Sequence, residues 1–148
     1  MNCKICNSKK WDRRFLDMAK LVSSWSKDPS TKVGAVITDD ENRIISVGYN
    51  GFPREVIDNE SRLNDRELKY QVIIHAEMNA IMFANKSLKG CTLDTYPFEP
   101  CSKCASVIIQ SGIKRVVSYP NCKDRWESSF EISRKLFQES GVELSYAT

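Results

Sequence analysis

The sequence predicts an α/β domain built on a mixed five-stranded sheet, and three observations carry that prediction. Two β-branched runs, "VGAVITD" (33–39) and "RIISVGYN" (43–50), are separated only by the polar "DEN" and read as an antiparallel hairpin. The second half alternates strand-like segments with helix-like ones, so its last two strands are joined through a helix and can lie parallel with a right-handed crossover. The chain has 148 residues, 41% hydrophobic and 28% charged, which is enough for one core and too short for two ordinary domains.

The elements follow in order. In "WDRRFLDMAKLVSSWS" (11–26), Phe15, Met18, Ala19, Val22 and Trp25 recur at helical spacing, which predicts a first helix with one face inward. "KDPST" stops it, because Pro29 disfavours helical backbone at Asp28. Residues 51–71 are polar and aperiodic and read as a long functional loop with room for a helical turn. From His75 to about Asn85, apolar residues fall on several faces, which predicts a helix buried on most sides. "CTLDTY" (91–96) is a strand, and Pro100 suits the first position of a helix that Gly112 terminates. "KRVVSYP" (114–120) is the next strand. A last helix from Trp126 to Ser140 carries Trp126, Phe130, Ser133 and Phe137 on one stripe, Gly141 closes it, and "VELSY" (142–146) completes a sheet with helices on both faces.

Composition excludes several classes. No apolar run approaches the roughly 18 residues that span a bilayer, so no membrane partner is expected. The opening "MNCKICNSKK" lacks the apolar stretch of a secretory signal, which points to a cytoplasmic protein. Six cysteines then read as thiols and, where clustered, as metal ligands. A net charge of +3, with both signs interspersed, argues against a dedicated nucleic-acid surface.

The chemistry concentrates in two motifs. "HAEMNAI" (75–81) holds the chain's only histidine, His75, with Glu77 two residues on. "EPCSKC" (99–104) places Cys101 and Cys104 on one face of a first helical turn, where unpaired backbone N–H groups favour thiolate. Two thiolates make half a zinc site, and His75 is the imidazole that can join them if two helix N-termini meet across strand ends. Three protein ligands leave the fourth position of a tetrahedral zinc open, the mark of a catalytic site. Two thiolates also offset the charge of Zn²⁺ and weaken its pull on a water; Glu77 is the base that meets that need. A lone histidine is usually structural, and a lone C-x-x-C is often a redox pair. Combined, H-x-E and P-C-x-x-C form the pattern of the zinc-dependent nucleobase deaminases.

On "HAEMNAI" and "PCSKCASVIIQSGIKRVV" the chain resembles the cytidine and deoxycytidylate deaminase superfamily, and "DPSTKVGAVI" with "VGYNGFPR" is similar to its deoxycytidylate (dCMP) deaminase branch. The resemblance covers about residues 12–146 of a single domain spanning 1–148. It implies a three-layer α-β-α fold and zinc-dependent deamination of dCMP to dUMP and ammonia, within pyrimidine deoxynucleotide metabolism and dTTP supply. It implies that His75, Cys101 and Cys104 hold Zn²⁺ and that Glu77 moves the protons. Asn50 would contact the deoxyribose and the Ala76 backbone the base, with Lys27, Ser30 and Arg125 near the phosphate. Tyr96 and Phe98, just before the zinc helix, are expected to line the cytosine pocket.

Members of that branch are commonly homohexamers activated by dCTP and inhibited by dTTP, with a segment like "GYNGFPR" at the effector site between subunits. Asn50, Gly51, Phe52 and Arg54 match it. Glu55 departs from it, standing where a glycine often follows the arginine; Mg²⁺ would bridge this carboxylate to a triphosphate. Two other readings share the motifs. An RNA or tRNA nucleobase deaminase is disfavoured by the mild charge and by "GYNGFPR", and a non-enzymatic zinc module leaves Glu77 unexplained and requires a fourth protein ligand. "CKIC" has the spacing of a second half-site, but the one histidine is committed, so Cys3 and Cys6 read as free thiols near a loose terminus.

Overall fold

The computed structural model describes residues 4–121 and 124–147; the side chains of Cys3 and Cys6, and Cys122, lie outside the described residues. The strands are β1 (Gly34–Thr38), β2 (Ile44–Tyr49), β3 (Thr92–Tyr96), β4 (Arg115–Ser118) and β5 (Glu143–Tyr146). They form one sheet in the order β2-β1-β3-β4-β5. β1 is antiparallel to both β2 and β3, whereas β3, β4 and β5 run parallel. The expected mixed sheet with parallel last strands is therefore present.

Alternation along β1 divides the helices between two faces. Val36 packs with Phe15 and Ala19 of α1 (Lys4–Ser23). Ala35 and Ile37 face the larger core, where α4 (Ala76–Phe83), α5 (Ser102–Gln110) and α6 (Glu127–Ser140) contribute Ala80, Ile108 and Phe137. Two glycines make this close packing possible. A Cβ on Gly34 would lie 2.0 Å from the Ala19 carbonyl oxygen, and one on Gly48 would lie 2.4 Å from that of Ala76. Gly48 thus lets the first turn of α4 rest directly on β2. No helix among the described residues is long and apolar enough to cross a membrane.

Four local expectations need correction. The first helix begins at Lys4 and ends at Ser23, so Trp25 does not extend its buried stripe; Trp25 is 53% exposed and meets Tyr49 edge-on. The Ser23 and Ser24 hydroxyls bond back to the Lys20 and Leu21 carbonyls, competing with continued helix at this point. Residues 51–71 hold two short helices, α2 (Glu60–Asn64) and α3, which runs Arg66–Val72. Asn59 and Asp65 cap them by accepting from Arg62 N and Leu68 N. α4 is buried on one side only, with Met82 and Phe83 exposed. Finally, Pro100 precedes α5 and Cys101 is its N-cap, one step earlier than a first-turn position.

β3 also carries a buried acid. Leu93 belongs to the larger core and Thr95 contacts α4, so pleating turns Asp94 to the α1 face. Asp94 is fully buried and neither of its carboxyl oxygens has a hydrogen-bond partner among the described residues. Burial, reinforced by the charge of Asp12, raises its carboxyl to about 8 despite nearby Arg115. Arg115 is held by two hydrogen bonds of 2.7 and 2.6 Å to Asp12.

Asp94 is thus neutral in the folded chain where it is ionised in the unfolded one. Its contribution to stability is complete below about pH 4 and is lost as pH rises toward its folded value. Asp94→Asn should remove that loss, so its unfolding free energy should gain on the native chain by up to about 1.4 kcal/mol per pH unit between about pH 5 and 7. Urea unfolding at several pH values checks this; parallel stability curves would contradict it.

Candidate active site

Two helix N-termini begin the site. His75 is the N-cap of α4 and Cys101 the N-cap of α5, both in extended backbone and neither making a side-chain cap hydrogen bond. Serine, threonine, aspartate or asparagine would stabilise these positions. Here the side chains turn toward each other instead. His75 Nδ1 lies 3.2 Å from Cys104 Sγ and 3.4 Å from Cys101 Sγ, and the three ligand atoms lie within 4.8 Å of one another.

This donor set fits zinc. Zn–N and Zn–S bonds at a tetrahedral angle put nitrogen and sulfur about 3.5 Å apart, close to the spacings seen. Two sulfurs and an imidazole suit Zn²⁺, and among the described residues the cluster holds three donors, so a fourth coordination position stays open. The sulfurs respond to each other. A hydrogen bond from Cys104, aided by His75, lowers the Cys101 thiol to about 4 against the effect of burial. The same hydrogen bond and burial raise Cys104. The His75 imidazole is raised, chiefly by its hydrogen bond with Cys101. A divalent cation would take the place of the proton that the sulfurs otherwise share.

Glu77 follows in the first turn of α4 and is 4% exposed. Burial is the main cause of its raised carboxyl pKa, with His75 and the Cys104 and Thr95 hydrogen bonds opposing. Thr95 Oγ1 donates to Glu77 Oε1 at 3.0 Å. Both Glu77 and His75 open onto a cavity of about 660 Å³, with Ala76 and Cys101 beside them.

The other expected substrate residues divide. Asn50, Ser30, Phe98 and Arg125 line the same cavity. Lys27 does not: its side chain is 70% exposed and pairs with Asp58 at 3.1 Å, because it lies between the inward-turned Ser26 and Asp28. Tyr96 does not either. It packs toward α1 with Phe15 and Val36 and meets Tyr119 edge-on. The reason is pleating: Thr95 faces Glu77, so the next residue faces the opposite layer. Of the expected effector residues, Gly51 bridges to Ile74, and exposed Arg54 lies over the Phe83 ring at 4.9 Å. Asn50 faces inward, its Oδ1 accepting from Val33 N at 2.9 Å and its Nδ2 donating to Thr31 O at 2.9 Å. Glu55 has a φ of 66°, a left-handed conformation that glycine adopts without strain.

The structure adds residues that the sequence did not single out. Thr95 was detectable, since strand alternation puts it on the same face as inward Leu93. Asp28 could have been read from "DPS", because its carboxylate accepts from Ser30 N in an Asx turn. Lys69 gave no signal, being one cation in a charged stretch, yet it is buried and lines the cavity. Glu99, also buried there, is held by Arg134 and Tyr146.

Comparison with known proteins agrees with this geometry. The family model described as the cytidine and deoxycytidylate deaminase zinc-binding region matches residues 9–119. An uncharacterized deaminase in the luxG 3′ region of Aliivibrio fischeri is 48% identical over 140 residues, 93% of this chain and 93% of its own. The deoxycytidylate deaminase of Homo sapiens is 39% identical over 140 residues, 89% of this chain and 76% of its own. Among solved structures, the dCMP deaminase of the cyanophage S-TIM5 in apo form superposes with a TM-score of 0.72 at 25% identity, covering 93% of this chain and 97% of that one. The guanine deaminase of Nitrosomonas europaea, 16% identical with a TM-score of 0.52 over 93% of this chain and 75% of its own, shares the fold.

Purified chain should carry zinc bound by His75, Cys101 and Cys104, and Cys104→Ala should remove one zinc equivalent. Metal analysis of both proteins checks this; undiminished zinc in the variant would contradict the ligand set.

Proposed function

We propose that this chain, which belongs to the cytidine and deoxycytidylate deaminase family, hydrolyses dCMP to dUMP and ammonia. The observation that carries the proposal is the buried Glu77 carboxyl beside a three-donor metal cluster that leaves a coordination position open. The identity to deoxycytidylate deaminases over most of the chain supports this choice of substrate.

Zinc held by His75, Cys101 and Cys104 supplies the Lewis acidity that makes water an effective nucleophile near neutral pH. Glu77 takes one proton from the water as its oxygen bonds to C4 of cytosine and delivers it to N3. It then takes the second from the new C4 hydroxyl and delivers it to the amino group, which leaves as ammonia as the C4–N bond breaks and the C4 carbonyl forms. Dry surroundings suit this work, because burial holds the carboxyl's affinity for a proton above that of a free glutamate. Thr95 fixes which way the carboxyl faces by donating to one of its oxygens. The Ala76 backbone and Phe98 border the base, Asn50 the deoxyribose, and Ser30 and Arg125 the phosphate.

Regulation belongs to the same proposal. The chain assembles as a homohexamer in which Gly51, Phe52 and Arg54, near Asn50, form an effector site for activating dCTP and inhibiting dTTP, with Mg²⁺ between Glu55 and the triphosphate. Exposed Arg54 supports this, since a guanidinium is suited to phosphate.

Ammonia release from dCMP, cytidine, dCTP and tRNA in parallel tests the substrate: dCMP should be preferred, and preference for tRNA would contradict the proposal. Glu77→Gln should lower kcat by at least about 10²- to 10⁴-fold with zinc content unchanged; near-native turnover would refute the role of Glu77. Titration of dCMP turnover with dCTP and dTTP should raise and lower it respectively, and a flat response would remove the effector site.

A further inference from the structure

A buried charge pair builds one wall of the cavity. Lys69 on α3 is 4% exposed and Asp28 6%, and Lys69 Nζ lies 3.1 Å from Asp28 Oδ1. The ammonium also lies 3.1 Å from Ser30 Oγ. Asp28 is fully engaged, because Ser30 N (2.8 Å) and Thr31 N (3.4 Å) share Oδ1 while Asn50 Nδ2 reaches Oδ2 at 3.4 Å. Asp28, Ser30, Asn50 and Lys69 all line the cavity.

The direction of these bonds matters. An ammonium has three donors and no acceptor, so Ser30 Oγ accepts from Lys69. The Ser30 hydroxyl hydrogen must then point elsewhere, and Ser30 is exposed on the cavity side. Asp28 is neutralised by Lys69 and engaged by three further N–H groups, so the wall offers hydrogen-bond donors with little free acceptor capacity. A group with many oxygens and few hydrogens complements it.

We infer that the Lys69–Asp28 pair is a positioning element that aims the Ser30 hydroxyl as a donor to the 5′-phosphate of the nucleotide substrate. The inference rests on the proposed dCMP reaction and assigns Lys69 a part in choosing nucleotide over nucleoside. Lys69 acts through Ser30, while the acid–base work stays with Glu77.

Steady-state kinetics of the zinc-loaded enzyme with dCMP and deoxycytidine tests it. Ser30→Ala should raise KM for dCMP about tenfold with kcat held within about twofold, since a hydrogen bond to a charged group is lost in ground and transition states alike. The ratio of kcat/KM for dCMP to that for deoxycytidine should fall by the same factor. Asp28→Asn with Lys69→Met removes both charges together, so neither is left buried alone. In that background Ser30→Ala should add less than about twofold, because the hydroxyl is no longer aimed. Unchanged KM in Ser30→Ala, equal losses on both substrates, or full additivity would each overturn the inference. If the double variant does not fold, Lys69→Arg decides in its place: it keeps a buried cation beside Asp28 but replaces the ammonium that holds Ser30 Oγ, so the dCMP-to-deoxycytidine ratio should fall, and an unchanged ratio would overturn the inference. Native enzyme without dCMP turnover would overturn the proposed function and this inference with it, whereas active native enzyme with an indifferent Ser30→Ala overturns only the inference.

Discussion

At Gly48 the backbone of α4 lies so close to β2 that a single added carbon would meet the Ala76 carbonyl oxygen at 2.4 Å and Ala80 N at 2.4 Å. That contact places the first turn of α4, and with it His75 and Glu77, over the sheet. Ala76 and Ala80 are fully buried, so small side chains and the missing Cβ together allow the approach. On the next strand but one, β3 leads into the turn that presents Cys101 as the N-cap of α5. His75, Cys101 and Cys104 come together because these two helices start at the same place above the sheet.

Several local costs follow from that placement. Histidine and cysteine occupy cap positions where a hydroxyl or carboxylate would hold the helix end better. Glu77 is buried where its charge is poorly solvated and has one hydroxyl donor in Thr95. Such departures from local preference are expected where a fold is bent to chemistry. A bound cation would recover part of the cost by binding the folded donors and releasing their proton. The larger core, from Ile37 and Leu93 through Ile108 to Phe137, holds the frame on which the costs are borne.

The strands and most helices were legible because their signals are periodic. β1 and β2 read as β-branched runs, and Phe130, Ser133 and Phe137 lie buried on the expected stripe of α6. The grouping of His75 with Cys101 and Cys104 was legible for a different reason: a single imidazole leaves one candidate for a histidine ligand. What escaped depends on one-residue differences in direction. Tyr96 and Thr95 are neighbours of similar strand propensity, and only pleating decides that the threonine meets Glu77 and the tyrosine meets α1. Lys27 and Lys69 are the same residue type, yet one is solvated beside Asp58 and the other buried against Asp28. Long-range pairing separates them, and no local pattern carries it.

In the proposed reaction water, with its protons handled by Glu77, replaces the 4-amino group of a cytosine nucleotide. The most direct measurement is turnover of dCMP in ¹⁸O-enriched water, with mass analysis of the product and quantitation of ammonia. One labelled oxygen on the base of each dUMP, with one ammonia per dUMP, is the predicted result; dUMP without base-bound label, or without matching ammonia, would contradict it.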